Sequence, residues 1–295
     1  MLIFDPLQLA ALAAVHRRGS FDLAAADLGV TQSAVSQRLR GLEDRAGALL
    51  IRRGSPSVAT DAGLRLIRHF DDIVLLEQQV AVDLPGVQAG KVALRIAVNA
   101  DSLATWVMPA LAQVPGVLFD LVIDDQDFSQ DWLRRGEVVA AVTAHAGPLQ
   151  GCDTLPLGAL RYIATASPGY MDRCFPAGVT AEALAHAPAL TFSDKDRLQA
   201  QWVAARRLGL RAGFPSHRIA STHGFVDACL LGLGWGLNPE PLVAAHLAAG
   251  RLVEMVPDSA YDVALHWQFA RLTAGAIRPL TQAMRTAAGQ MLRIQ

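Results

Sequence analysis

Cysteine is scarce in this 295-residue chain: Cys152, Cys174 and Cys229 lie far apart and form no CxxC pair. Such sparse usage excludes a disulfide framework and a cysteine-built metal site, and reads as the reduced thiols of a cytosolic protein. Charge is thin as well. Charged residues make up 18% of the chain and sum formally to −1, so no global basic field marks a polyanion-binding protein. Long apolar runs are missing, because charges interrupt each of them before membrane-spanning length is reached. The opening MLIFDPLQLAALAAVHRRG lacks the basic-then-apolar order of a signal peptide. The chain is therefore expected to be cytoplasmic and soluble, with no membrane partner. There is no solenoid repeat or low-complexity tail, and the length suggests two domains.

Catalytic patterns are equally absent. No GxSxG elbow or HExxH appears, and the eight histidines are scattered without ligand spacing. Gly86 to Gly90-Lys91 is one residue short of a phosphate loop, and Val92 stands where Ser or Thr is needed. Gly232-Leu233-Gly234-Trp235-Gly236 follows a helix rather than a strand, so it is read as a turn leading into Leu237 and not as a dinucleotide site. The five tryptophans are expected in cores or interfaces. No enzyme, cofactor or metal is expected.

What is present begins with Gly19–Leu42, GSFDLAAADLGVTQSAVSQRLRGL. Ala24, Ala25 and Leu28 make the inner face of a short helix, with Asp22 placed to cap it. Gly29 supplies a left-handed turn without a Cβ penalty. Thr31 caps a second helix whose Val35, Leu39 and Leu42 face a core. Gln32, Ser33, Ser36, Gln37 and Arg40 are left outward. Gln suits adenine edges, Ser several bases, and Arg guanine or phosphate. The arrangement is a helix-turn-helix, to be weighed against an ordinary helical hairpin with a solvated face.

Leu49 to Arg53, then Gly54 to Thr60, look like two short strands around a Gly/Pro turn, a wing beside the helices. Arg52 and Arg53 stand where a wing meets phosphates. Residues 1–60 hold seven arginines against five acids, so affinity for double-stranded DNA must come from local placement and from doubling in a dimer. From Thr60 to about Val82 a helix carries Leu66, Ile73 and Val80 at spacing seven, with Phe70 and Glu77 between. This near-heptad seam implies a partner helix, most simply from a second copy.

A Pro/Gly hinge at 84–90 precedes alternating elements: strands at Val92–Val98, Val117–Ile123 and Val138–Thr143, helices at Ser102–Gln113 and Phe128–Arg135. After a strand at 161–165, helices are expected at Lys195–Leu208, Phe225–Leu233 and Pro241–Ala248. Further strands fall at Ala189–Phe192, Arg218–Ser221 and Ala264–Phe269, and a closing helix at Arg278–Leu292. Alternation implies a mostly parallel sheet covered by helices. Ligands in such sheets sit beyond the strands' carboxyl ends. Those ends are Asn99-Ala100-Asp101-Ser102, Asp124-Asp125, Thr143-Ala144-His145, Phe192-Ser193-Asp194 and Ser221-Thr222-His223. The candidate ligand contacts are Asn99, Asp101, Ser102, Asp124, Thr143, Ser193, Asp194 and His223. Ser102 and backbone amides would take a carboxylate; Asp101, Asp124 or Asp194 would take amines. Each residue taken singly is equally at home as a helix cap. Lys195 stands beside this proposed cation site and is expected to point outward, as lysines do.

On Gly19-Ser20-Phe21, Ala24-Ala25, Leu28, Thr31 to Ser36, Leu39, Leu42-Glu43, Leu49, Arg52, Thr60 and Gly63, the chain resembles the LysR-type transcriptional regulators. The resemblance implies a winged helix-turn-helix at 1–60, a dimerising linker helix and hinge at 61–90, and an α/β effector domain at 91–295. That domain would be two-lobed like a periplasmic binding protein, with lobe 1 at about 91–161 and 268–295 and lobe 2 at about 162–267. It also implies that Gln32, Ser33, Ser36 and Gln37 face bases while Arg40, Arg52 and Arg53 serve the backbone. Val98 to Trp106 and Leu133 to Val142 resemble the ArgP/LysG branch, which senses lysine or arginine and switches on an amino-acid exporter gene. The expected device is a ligand-biased switch in a homodimer, assembled into a homotetramer on a pseudo-palindromic site, with room for contact with RNA polymerase. A LysR-type regulator of another metabolite, a ligand-independent DNA-bending or origin-binding protein, and a solute-binding module remain as alternatives.

Overall fold

The first helix, α1 (Pro6–Arg18), begins where the Asp5 carboxylate accepts from the Leu7 amide at 2.8 Å, and ends at Gly19. The structure is a computed structural model describing residues 3–84, 92–124, 129–209 and 213–294. Helix α2 (Phe21–Leu28) starts earlier than Asp22 allows for a cap: Ser20, with extended backbone, holds the cap position, and Asp22 lies inside the first turn. Its charge still favours the exposed amides there. Gly29 follows at φ +63°, turning the chain into α3 (Gln32–Ala46), where the Thr31 hydroxyl accepts from Ala34 N at 3.2 Å. Val35, Leu39 and Leu42 are buried, as their spacing predicts, against Leu9, Leu12 and Val15 of α1.

Strands β1 (Ile51–Arg52) and β2 (Val58–Ala59) pair antiparallel as the wing. Helix α4 (Asp61–Asp83) then starts with Thr60 capping Gly63 N at 3.1 Å, while the Thr60 hydroxyl donates to Leu49 O at 2.8 Å. One threonine thus joins wing to linker. The first half of the expected seam is used inside the chain: Leu66 and Phe70 pack on the N-terminal core. The hinge at 85–90 and the rejected phosphate loop lie outside the described residues, as do Asp125 and Phe128.

Strand β3 (Val92–Val98) leads into α5 (Ala100–Ser102), a π turn at Leu103–Val107, and α6 (Met108–Leu111). The helix expected from Ser102 therefore starts two residues early, and its middle turn is widened. After β4 (Val117–Ile123), α7 (Ser129–Arg135) and β5 (Ala140–Thr143), the long β6 (Cys152–Ala166) crosses to the second half. There α8 (Pro168–Cys174) and α9 (Ala181–His186), neither anticipated, precede β7 (Ala189–Thr191). Helix α10 (Leu198–Ala205) starts after Lys195, because the Asp196 carboxylate ties the amides of Phe192 and Leu198 (both 2.9 Å) and holds the intervening residues as a loop. Strand β8 (Ser216–Arg218) lies two residues before its expected place, and α11 (Thr222–Leu230) begins early because Ser221 caps Gly224 N at 3.2 Å. Then follow β9 (Gly236–Pro239), α12 (Glu240–Ala248), β10 (Val253–Glu254), β11 (Tyr261–Ala270) and α13 (Arg278–Met291).

The sheet runs β10-β6-β11-β5-β3-β4, with β9 also paired to β6. Only β3–β4 and β3–β5 are parallel within it; β6 and β11 pair antiparallel with every neighbour. The expectation of mostly parallel pairing is thus corrected. Alternating helices and strands predicted the layers, but two long strands shared by both halves set the pairing. One core joins those halves, with Trp106, Trp202, Trp235 and Trp267 essentially excluded from solvent. Trp132 alone is half-buried. Among the described residues no helix is long and apolar enough to cross a membrane.

Candidate functional site

Positions 32, 33, 36, 37 and 40 recur within one arc of a 3.6-residue helix, so burial of Val35, Leu39 and Leu42 turns them away from the core. Gln32, Ser33, Gln37 and Arg40 are exposed and Ser36 is half-buried. Arg52 and Arg53 are exposed on the wing, the Arg53 guanidinium lying 4.9 Å from the Phe21 ring centroid. Stacking on Phe21 orders that cation beside α2 without neutralising it. A polar helix face flanked by wing arginines has the chemistry of a duplex-DNA reader.

The second site lies between the halves of the sheet, a cleft that is partly open to solvent. Asn99, Asp101 and Asp124 reach it from the ends of β3 and β4; Phe192, Asp196, Gln199, Thr222, Phe225 and Asn238 reach it from the other half. Asp101 accepts from the Tyr162 hydroxyl on one oxygen and the Thr222 hydroxyl on the other, both at 2.8 Å. Burial holds its pKa above the ordinary carboxylate range; the two hydroxyl donors pull it back only in part, and nearby Asp196 adds to the rise.

Asp124 is fixed differently. The Trp132 indole N–H donates to one oxygen at 2.9 Å, and Lys195 Nζ reaches the other at 3.1 Å from across the cleft. Lys195 therefore turns inward, contrary to expectation, because a mostly buried carboxylate needs a cation more than the lysine needs water. The Trp132 ring is itself held by Arg135 at 4.7 Å and Arg95 at 5.8 Å.

Two further acceptors line the cleft. Gln199 Oε1 and Asn238 Oδ1, on side chains all but excluded from solvent, have no hydrogen-bond partner among the described residues. Buried acceptors left this way cost free energy unless a donor arrives. Three carboxylates and two such carbonyls make a site for a small molecule rich in N–H donors.

Of the residues singled out by sequence, Asn99, Asp101 and Asp124 are brought together here. Ser102 and Thr143 are fully buried away from the cleft lining, the Thr143 hydroxyl accepting from His145 N at 3.1 Å. Ser193 caps Lys195 N at 3.1 Å, Asp194 pairs with Arg218 at the surface, and His223 is exposed. The capping turn of Ser221 points Thr222 inward and its neighbour His223 outward. Asp196, Gln199 and Asn238 escaped sequence reading, and within the strand end Ser221–His223 the candidate was His223 and not Thr222. Asp196 sits in a run of polar residues that signals a loop, and nothing around Gln199 or Asn238 signals a site.

A helix-turn-helix with a wing, joined through a linker helix to a carboxylate-lined cleft in an α/β domain, defines a ligand-responsive DNA-binding regulator. Residues 7–64 match the bacterial regulatory helix-turn-helix protein, lysR family, and residues 89–293 match the LysR substrate binding domain. The chain belongs to the LysR family of transcriptional regulators and, as a member of it, is a regulator and not an enzyme. It is 43% identical over 297 residues to the HTH-type transcriptional regulator ArgP of Pseudomonas aeruginosa, spanning 99% of this chain and 98% of that protein. The crystal structure of ArgP from Mycobacterium tuberculosis is 42% identical, with a TM-score of 0.83 and full coverage of both chains. Full-length LysG from Corynebacterium glutamicum with bound effector Arg is 35% identical, with a TM-score of 0.72, covering 98% of this chain and all of that one.

Proposed function

We propose that this regulator senses a basic amino acid, lysine or arginine, in the cleft between the β3–β4 strand ends and the Asp196–Asn238 wall, and thereby controls an amino-acid export or metabolism gene. The convergence of Asp101, Asp124 and Asp196 with the unpartnered Gln199 and Asn238 carbonyls carries the reading: such a lining favours ligands with two cationic groups. Arginine bound to the similar LysG agrees with it. Calorimetric titration of the full chain tests it. L-lysine or L-arginine should bind at micromolar Kd, and acidic and neutral amino acids far more weakly. Equal or stronger binding of an acidic or neutral amino acid overturns the effector class and leaves the DNA-binding half intact.

In this reading residues 1–60 bind operator DNA, 61–90 link and dimerise, and 91–295 form the effector domain, in the cytoplasm. Gln32, Ser33, Ser36 and Gln37 read bases; Arg40, Arg52 and Arg53 hold phosphates. Leu76, Val80 and Leu84 of the linker are exposed, 57% for Val80, which favours a partner helix from a second copy. Two such copies predict a pseudo-palindromic operator. Ligand would change how dimers pair into tetramers, and footprint length and DNA bend with and without L-lysine check that step.

A further inference from the structure

Lys195 is a cation belonging to the chain itself, held at the edge of the cleft by its ion pair with Asp124, one of three carboxylates in the lining. It stands on the loop 192–197, between β7 and the start of α10, while Asp124 ends β4 on the opposite half. Their 3.1 Å ion pair bridges the cleft. The two partners differ in exposure. Asp124 is 18% exposed, and its second oxygen is fixed by the Trp132 indole, whose ring is in turn clasped by Arg135 and Arg95. Lys195 is 50% exposed on a flexible four-carbon stem. Asp124 therefore stays in place while the lysine head can swing out to water, where an ammonium is well hydrated.

Asp101 makes the contrast. Its two oxygens are held by the neutral hydroxyls of Tyr162 and Thr222, which orient it without supplying charge. A dicationic ligand thus meets one carboxylate that lacks a charged partner in these bonds and one that already holds a cation. We propose that Lys195 is a tethered competitor for the ligand's side-chain cation, filling the place at Asp124 that an ammonium or guanidinium takes on binding. The proposal rests on the basic-amino-acid reading above and adds a residue that sets its affinity and selectivity. A neutral ligand leaves Lys195 on Asp124. A cationic one displaces it and re-pairs the carboxylate, so the cleft's charge balance is kept in either case. A half-solvated pair is a weak one, so displacement lowers the affinity for lysine by about two- to fivefold and does not block it.

The test compares the full-length protein with Lys195→Met, which keeps the stem and removes the charge, and with Lys195→Arg, which keeps the charge. Each is titrated calorimetrically with L-lysine and with L-norleucine, which keeps the side-chain carbons and lacks the ε-ammonium. Lys195→Met should bind L-lysine about two- to fivefold more tightly and L-norleucine no better than the unmodified chain, widening the preference for the cation. Lys195→Arg should behave as the unmodified chain. Lysine binding unchanged or weakened in Lys195→Met overturns the proposal, and equal weakening of both ligands would instead place Lys195 on the amino-acid carboxylate. If the unmodified chain binds no basic amino acid, the effector reading and this proposal fall together. If it binds lysine and Lys195→Met changes nothing, only the proposal falls. Should Lys195→Met lower the thermal midpoint without ligand, Lys195→Gln supplies the same comparison with a polar stem.

Discussion

The Thr222 hydroxyl donates to the Asp101 carboxylate at 2.8 Å, joining residues 121 positions apart that stand on opposite sides of the cleft. With Tyr162 on the other oxygen, the carboxylate is oriented entirely by neutral donors. Its raised pKa follows from burial without a compensating cation in those bonds.

That shift has a pH signature. Between the ordinary carboxylate pKa and the raised folded value, the folded state holds more protons at Asp101 than the unfolded chain does. Stability therefore falls as pH rises through this window. Asp101→Asn should remove that part of the slope in urea unfolding measured at a series of pH values. A ligand ammonium reaching Asp101 favours its ionised form, so binding within the window should release protons. Heats measured in buffers of different ionisation enthalpy would then diverge, and identical heats would mean that no cation meets Asp101.

On DNA, Ser36→Ala and Gln37→Ala should each cost about 1–3 kcal/mol on the operator and little on random duplex. Arg52→Ala should weaken both alike and reduce the salt slope by about one unit. Competition binding at several salt concentrations separates the two patterns. Equal losses on operator and random DNA for Ser36→Ala and Gln37→Ala would remove those residues from base readout.

Gly63 lies in the first turn of α4, where an added Cβ would stand 2.2 Å from the Leu50 carbonyl oxygen. That carbonyl is fixed by the Thr60 amide at 2.9 Å, so it has little freedom to retreat. Alanine gains roughly 1 kcal/mol in helix propensity, but the clash is with backbone. Gly63→Ala should destabilise the N-terminal domain by about 1–3 kcal/mol, read as a lower thermal midpoint and weaker DNA binding.

Burial pushes the Cys229 thiol up to about 11, against the hydrogen bond from Asn238 that favours its thiolate. Thiol reagents at neutral pH should leave Cys229 unlabelled in the folded protein and modify it on unfolding, as mass spectrometry of labelled peptides would show. Rapid labelling of the native chain would mean that the core around Asn238 opens.

The N-terminal half was legible because its signals are local. A cap at Thr31, a left-handed Gly29 and three apolar residues at helical spacing all act within one or two turns, and the structure keeps each of them. The helical spacing that buries Val35, Leu39 and Leu42 also decides that Gln32 and Gln37 face out. Asp22 failed as a cap for an equally local reason, since Ser20 precedes it and takes the position. In the C-terminal half the alternation of strands and helices showed an α/β domain, and the strand-end rule led to Asn99, Asp101 and Asp124.

Period and spacing could not show pairing direction, because β6 and β11 meet antiparallel over a separation that no local signal spans. The inward face at Ser221–His223 depended on which residue capped α11. Asn238 and Gln199 entered the cleft only through the packing of β9 and α10 against the shared sheet. By itself the sequence determined the helix-turn-helix and the wing, which follow from contacts between near neighbours, and its motifs pointed to the family. Only the tertiary structure decided which carboxylates share a cleft, and that Lys195 turns inward to pair with Asp124. Those are long-range electrostatic choices, made when burial strips water from charges far apart in the chain.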